Sequence, residues 1–276
     1  SGLSWRLDGA EIPNPNHFGQ MGATGGPVSM LNNNLLSNSD FLTGAFPAEY
    51  GNATSGVFDL KMRSGNYDTY EFLGQVGFNG FEAGAEGPLP VGENASFLVN
   101  YRYSTLSLMF DLGFDVGTGT AVPNYQDLSF KLNIPTKNAG KFSIVGLGGK
   151  SDIFFENSKI DTTEEPESMY SEDFLDIKSE SKTGVLSLSH TYIFNPSTYT
   201  KLVVGASGIE NGNIVDTILT WSNDNPATKP YRRMKNGSAH YFANFFLNKK
   251  LNSHHSFKIG ANFKQMHYNL LDSLYD

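Results

Sequence analysis

Cysteine is absent from this chain of 276 residues. Disulfide scaffolds, thiolate metal sites and cysteine nucleophiles are therefore excluded. No run of 18 apolar residues occurs, which excludes a transmembrane helix. A membrane β-barrel stays open, because its strands alternate a lipid-facing residue with a water-facing one and never build a long apolar run. Positive charge is scarce: 20 Lys and Arg against 28 Asp and Glu leave a net charge of −8. Nucleic acid is not an expected partner, since phosphate backbones are met by basic surfaces. No signal peptide is expected in this opening either. The opening SGLSWRLDG already alternates as a strand through Leu3, Trp5 and Leu7, so the chain reads as the middle of something longer.

What is present is 29 glycines, 13% aromatic residues and 39% hydrophobic residues, with a mean hydropathy of −0.32. The length suits one large domain or two small ones. Residues 1–66 read as one unit. WRLDGAEIPNPN gives a short strand, an Asp8-Gly9 turn and a proline-bounded extended piece. HFGQMGATGGPVSM is a glycine-rich loop. LNNNLLSNSDFLTGAFPAEYG suggests a short helix or irregular segment, and Val57, Leu60 and Met62 suggest a final strand. Such short strands bury little alone, so this unit is expected to pack against something larger.

From residue 67 onward the period is two. Leu128, Phe130, Leu132 and Ile134 alternate with Asp127, Ser129, Lys131 and Asn133. Phe97, Val99, Tyr101 and Tyr103 alternate with Ser96, Leu98, Asn100 and Arg102. Phe257, Ile259, Ala261 and Phe263 alternate with Lys258, Gly260, Asn262 and Lys264. This pattern predicts strands with one apolar face. Only 141–150 departs, with Val145 and Leu147 on the less apolar face. Strands are expected near 69–79, 80–89, 95–104, 126–135, 140–153, 182–194, 198–210, 238–250 and 255–269. After the tight Asn79-Gly80 turn, short connections alternate with long ones at 105–125, 154–181 and 211–237. Transmembrane barrels sort their loops in this way. Tyr70, Phe81, Tyr101, Tyr103, Tyr192, Phe194, Tyr199, Tyr241 and Tyr268 near strand ends suit interfacial girdles, although aromatics favour strands anyway.

LDGAEIPNPNHF, the stretch GGPVSMLNNNLLSNSDFLTGAFPAEYGNATSGVFDLKMRSGN, and NGFEAGAEGPL resemble TonB-dependent outer-membrane receptors of the Bacteroidetes type, which often carry an N-terminal carboxypeptidase-regulatory-like domain. Pro47 through Asn66 match the end of that family's plug closely. The resemblance implies an all-β chain: the C-terminal part of a plug domain over residues 1–66, then about nine antiparallel strands over 67–276, from a barrel that has 22 in a whole receptor. It implies active import of a scarce nutrient (siderophore, haem, cobalamin, glycan or peptide) across the bacterial outer membrane. The implied partners are the TonB complex, through a segment absent here, a surface lipoprotein lid, outer-membrane lipid and lipopolysaccharide. The other classes kept open are a passive barrel and a soluble β-sandwich binding module or surface adhesin.

Under that resemblance Asn14, Asn16, His17, Phe18 and Gln20 lie in an apical plug loop, offering donors, acceptors and a stacking ring to a ligand. Asn100, Arg102, Ser129 and Lys131 face the lumen, lining the path or bonding the plug, and Glu49 and Arg63 join the plug–wall bonding. Asp161–Glu180 carries eight acidic residues and one lysine, without the spacing of a calcium loop. KPYRRMK at 229–235 is its basic counterpart in another expected loop. The six histidines show no metal-binding spacing, and no nucleophile elbow or P-loop occurs. Neither an enzyme nor a cofactor is expected.

Overall fold

The computed structural model describes residues 2–51, 53–77, 80–104, 121–159, 174–220, 222 and 226–275, without the side chains of 121 and 122. Strands β1 (Leu3–Leu7) and β2 (Ala10–Ile12) form a hairpin. Its two turn residues, Asp8 and Gly9, have φ of 52° and 94°, the left-handed pair that matches the twist of a two-residue hairpin. Strands β3 (Asn16–His17) and β4 (Val28–Ser29) make a short ribbon at the base of the glycine-rich loop. The asparagine-rich stretch holds a single 3-10 turn, Asn33–Leu35, started by the Asn32 side chain accepting from the Asn34 amide. Strands β5 (Asp40–Leu42) and β6 (Gly56–Leu60) complete a four-stranded sheet in the order β2-β1-β6-β5, with β1 and β6 parallel. Met62 lies past the end of β6 and forms one isolated bridge to Leu36.

The remaining strands form one antiparallel sheet in sequence order. They are β7 (Glu71–Gly77), β8 (Gly80–Pro88), β9 (Ser96–Tyr103), β10 (Ala121–Pro135), β11 (Lys141–Phe155), β12 (Leu175–Asn195), β13 (Thr198–Thr220), β14 (Ala227–Lys250) and β15 (Ser256–Leu274). The chain is therefore all-β, a small inner unit followed by a nine-stranded wall.

The inner face of the wall receives the small unit. Leu98, Val145, Leu147, Val185, Val203 and Phe242 are buried in one core with Leu7, Ala10, Ile12, Leu60 and Met62. This accounts for the irregular alternation at 141–150: Val145 and Leu147 are apolar on the polar face because they meet the inner unit. Each such side chain contributes about 1.5–3 kcal/mol by leaving water. The aromatic stack Trp5–Phe58–Phe41, with centroids 4.2 and 4.3 Å apart, stiffens the inner sheet.

The outer face is apolar and exposed. Leu132, Ile144, Leu188, Val204, Ala243 and Phe263 form one cross-strand row. Leu128, Leu186, Phe245, Ile259 and Phe263 are each more than 40% exposed. The belt stops at a polar row in which Gln126, Lys150, Lys182 and Glu210 stand opposite one another.

Two expectations need correction. The loop expected at 211–237 is mostly strand: β13 and β14 run on to a connection of 221–226, and the basic run 229–235 lies within β14. Its charges look like loop composition because both faces are wet there, yet they pair across strands. Arg233 meets Asp216 at 2.5 Å, Lys235 meets Glu210 at 3.2 Å and Arg232 meets Asp272 at 2.6 Å. Leu175–Glu180, likewise expected as loop, begins β12; residues 161–173 of that acidic stretch lie outside the described residues. The aromatic girdle also changes. Tyr199 pairs with Asn248 and Tyr268 with Ser238 on the inner face, whereas Tyr241 stands on the outer face opposite Ala206.

Candidate functional site

Polar side chains placed by strand alternation hold the inner unit to the wall. Asp127 of β10 is deeply enclosed, with its side chain 1% exposed. Arg102 of β9 grips it in a two-pronged pair, Nε to Oδ1 at 3.0 Å and an Nη to Oδ2 at 2.9 Å. His17 Nε2 lies 2.8 Å from the same Oδ2, and the His17 ring packs on Tyr125 at 4.8 Å. Arg102 also donates to the Ser29 carbonyl at 2.6 Å. His17 belongs to β3 and Ser29 to β4, so one buried ion pair of the wall pins both strands of the ribbon. Gly149 supplies the room: a Cβ there would stand 2.8 Å from the His17 ring and 2.7 Å from Met30 Sδ.

Further contacts spread over the interface. Lys131 Nζ donates to Asp8 Oδ2 at 3.0 Å and to the Met62 carbonyl. Lys264 meets Glu11 at 2.7 Å, and Lys258 meets Glu49. Arg63 forms a bidentate pair with Glu86 at 2.5 and 2.6 Å and donates to the Asn34 carbonyl. Those bonds to Glu86 raise the Arg63 pKa further above its ordinary value. Asn100 and Asn32 both donate to Glu82 Oε1, at 2.8 and 2.6 Å. Ser129 is buried on the same inner face. Tyr50 donates to Asp59 at 3.0 Å, and burial, then the Asp59 carboxylate, push its phenol pKa up.

The glycine-rich loop carries the second feature. The Phe18 amide donates to Ser151 Oγ at 2.8 Å. Ser181 Oγ and Asn211 Nδ2 donate to the Gly19 carbonyl at 2.9 and 2.7 Å, and the Met21 amide donates to Asn211 Oδ1 at 2.7 Å. Ser151, Ser181 and Asn211 are one cross-strand row of β11, β12 and β13. The next inward-facing row, Ile153, Ser179, Asn213 and Met234, is left open and floors a cavity of about 340 Å³ roofed by Phe18–Met21.

The structure thus divides the five loop residues. Phe18 and Gln20 line the cavity. His17 is spent on Asp127, and Asn14 donates to the Gly25 carbonyl at 2.8 Å while accepting from Asn16 Nδ2 at 2.6 Å. The wall residues of the cavity were not singled out from the sequence, because Ser179, Asn213 and Met234 fall where loops were expected. Among the described residues no group of three His, Asp or Glu could hold a metal ion.

No family model and no curated protein matches the chain. Among solved structures it is similar to the copper transporter OprC, at 9% identity and a TM-score of 0.36. All of this chain is covered, but only 53% of that one, so the chain spans about half its length.

Proposed function

We propose that this chain is part of a TonB-dependent importer of the bacterial outer membrane: the end of a plug over residues 1–66 and nine strands of the barrel wall over 67–276. The outer belt carries the reading. From Phe194 up to Gly184 it covers about ten residues of β12, roughly 33 Å of strand and about 25 Å of height at the tilt of barrel strands. That is the height of the lipid-facing band of such barrels, and a water-exposed protein does not spread so large an apolar face. A unit bonded to the inner face through several ion pairs suits a plug, and the resemblance of Pro47–Asn66 to a plug terminus supports the same assignment. Capture falls to the cavity under Phe18–Met21, with release by rearrangement of the inner unit. The cargo enters energised through TonB, and lipopolysaccharide and a surface lipoprotein are the further partners this reading implies.

The test is fractionation of the source cells, intact mass of the species carrying these peptides, and nutrient uptake with and without a protonophore. An outer-membrane species extracted only by detergent, with uptake abolished by the protonophore, is expected. A soluble species near the mass of this chain refutes the reading and favours the binding module.

A further inference from the structure

We infer that the cavity under the glycine-rich loop takes an uncharged, polyhydroxylated ligand, the chemistry of a sugar, with the Phe18 ring as its stacking platform. This rests on the importer reading for its biological setting but on the cavity alone for its chemistry.

Charge is the first argument. Elsewhere the inner unit and wall meet through ion pairs, but this cavity is different. Among the described residues its lining has no cation, and the one acid there, Glu180, pairs with Lys178 at 2.7 Å. A charged ligand would find no unpaired counter-ion among these residues to offset its lost hydration. The polar groups that do face the space are amides and hydroxyls: Gln20, Asn213, Asn236 and Ser179. Each both donates and accepts, as a sugar hydroxyl does. Ser179 Oγ donates to Asn213 Oδ1 at 2.6 Å, which leaves the Asn213 NH₂ to offer its hydrogens outward.

Phe18 is the second argument. Its φ is 58°, a conformation that costs an aromatic residue energy and that the surroundings must enforce. The bonds of Phe18 and Gly19 to Ser151, Ser181 and Asn211 enforce it. Glycine would occupy the position without strain, so what the chain gains from phenylalanine is a ring on a residue that lines the cavity. A flat apolar face beside amides fits the C–H face and hydroxyl rim of a pyranose. Met21 and Met234 add contact that adapts its shape. The volume of about 340 Å³ is at the small end of ligand pockets and seats one or two rings of a longer chain.

The test uses the full-length receptor in detergent and isothermal titration. The probes are three neutral hexasaccharides (maltohexaose, cellohexaose, mannohexaose) and two charged counterparts, anionic hexagalacturonate and the cationic chitosan hexamer. At least one neutral probe is expected to bind, and both charged probes at least about tenfold more weakly. Phe18→Gly relieves the backbone while removing the ring and should weaken neutral binding by about tenfold or more; Phe18→Trp should retain it. Equal or tighter binding of a charged probe, no binding of any neutral one, or indifference to Phe18→Gly overturns the inference. Fractionation separates the two failures. A receptor found in the outer membrane that prefers a charged probe overturns only the ligand class, whereas a protein absent from that membrane overturns the setting.

Discussion

Replacing Asp127 by alanine should free the β3–β4 ribbon from the wall. The carboxylate is 1% exposed and has three close charged or polar contacts, with the Arg102 side chain 20% exposed and that of His17 1% exposed. Removing it leaves a guanidinium in a largely dry site and an imidazole without its partner. Breaking a buried pair from one side costs about 3–5 kcal/mol. The loss should fall on local opening, because the ribbon has only two paired positions, Asn16 with Ser29 and His17 with Val28. At about 3 kcal/mol, amide exchange through local opening speeds up on the order of a hundredfold. The amides to follow are Phe18, bonded to Ser151, and Met30, bonded to the Pro15 carbonyl at 2.9 Å. Those of the β13–β14 ladder, bonded strand to strand, should keep their protection. Hydrogen exchange with mass spectrometry on the detergent-solubilised protein measures this. A change below about threefold at Phe18 and Met30 would mean that the ion pair does not hold the ribbon.

Other substitutions probe the same architecture. Gly149→Ala sets a methyl against His17, Met30 and the Gln126 carbonyl, and should cost about 1–3 kcal/mol by overpacking; Gly184→Ala, whose nearest neighbour is 3.4 Å away, should be neutral in the same thermal melts. Leu188→Arg in mid-belt should cost about 2–4 kcal/mol in lipid, while Ile214→Arg, beyond the charged row but between Lys178 and Arg233, should cost less than about 1 kcal/mol; folding titrations in lipid vesicles compare them. Lys131→Met leaves Asp8 without its cation, and a gain in protease cleavage at the Asp8-Gly9 turn is the expected readout.

The wall was legible because its strands have one wet and one apolar face, and a period of two survives any sequence context. Its heights were not. The upper halves of β12, β13 and β14 carry charges on the outer face, where the belt below is apolar, so Leu175–Glu180 and the basic run 229–235 resembled loops, and the cross-strand partners Asp216, Glu210 and Asp272 help explain why the basic run stays extended. The inner unit was legible as short strands and a hairpin turn, but β1 pairs in parallel with β6 across about fifty residues, a pairing no local pattern encodes. The loop residues were found by their chemistry, yet His17 and Phe18, adjacent in sequence, serve different ends. Burial decides between them, and burial depends on strands more than a hundred residues away.

The level of the cavity has a consequence for timing. Its anchoring row, Ser151, Ser181 and Asn211, interleaves with Lys150, Lys182 and Glu210 on the outside, just above the apolar belt. On the importer reading, a molecule seated there has crossed none of the insulating layer. For an importer, loading is then a passive equilibrium at the cell surface, indifferent to the energy state of the cell, and all the work is done afterwards, over a descent of about 25 Å. De-energised cells should fill this site as fully as growing ones and empty it only outward.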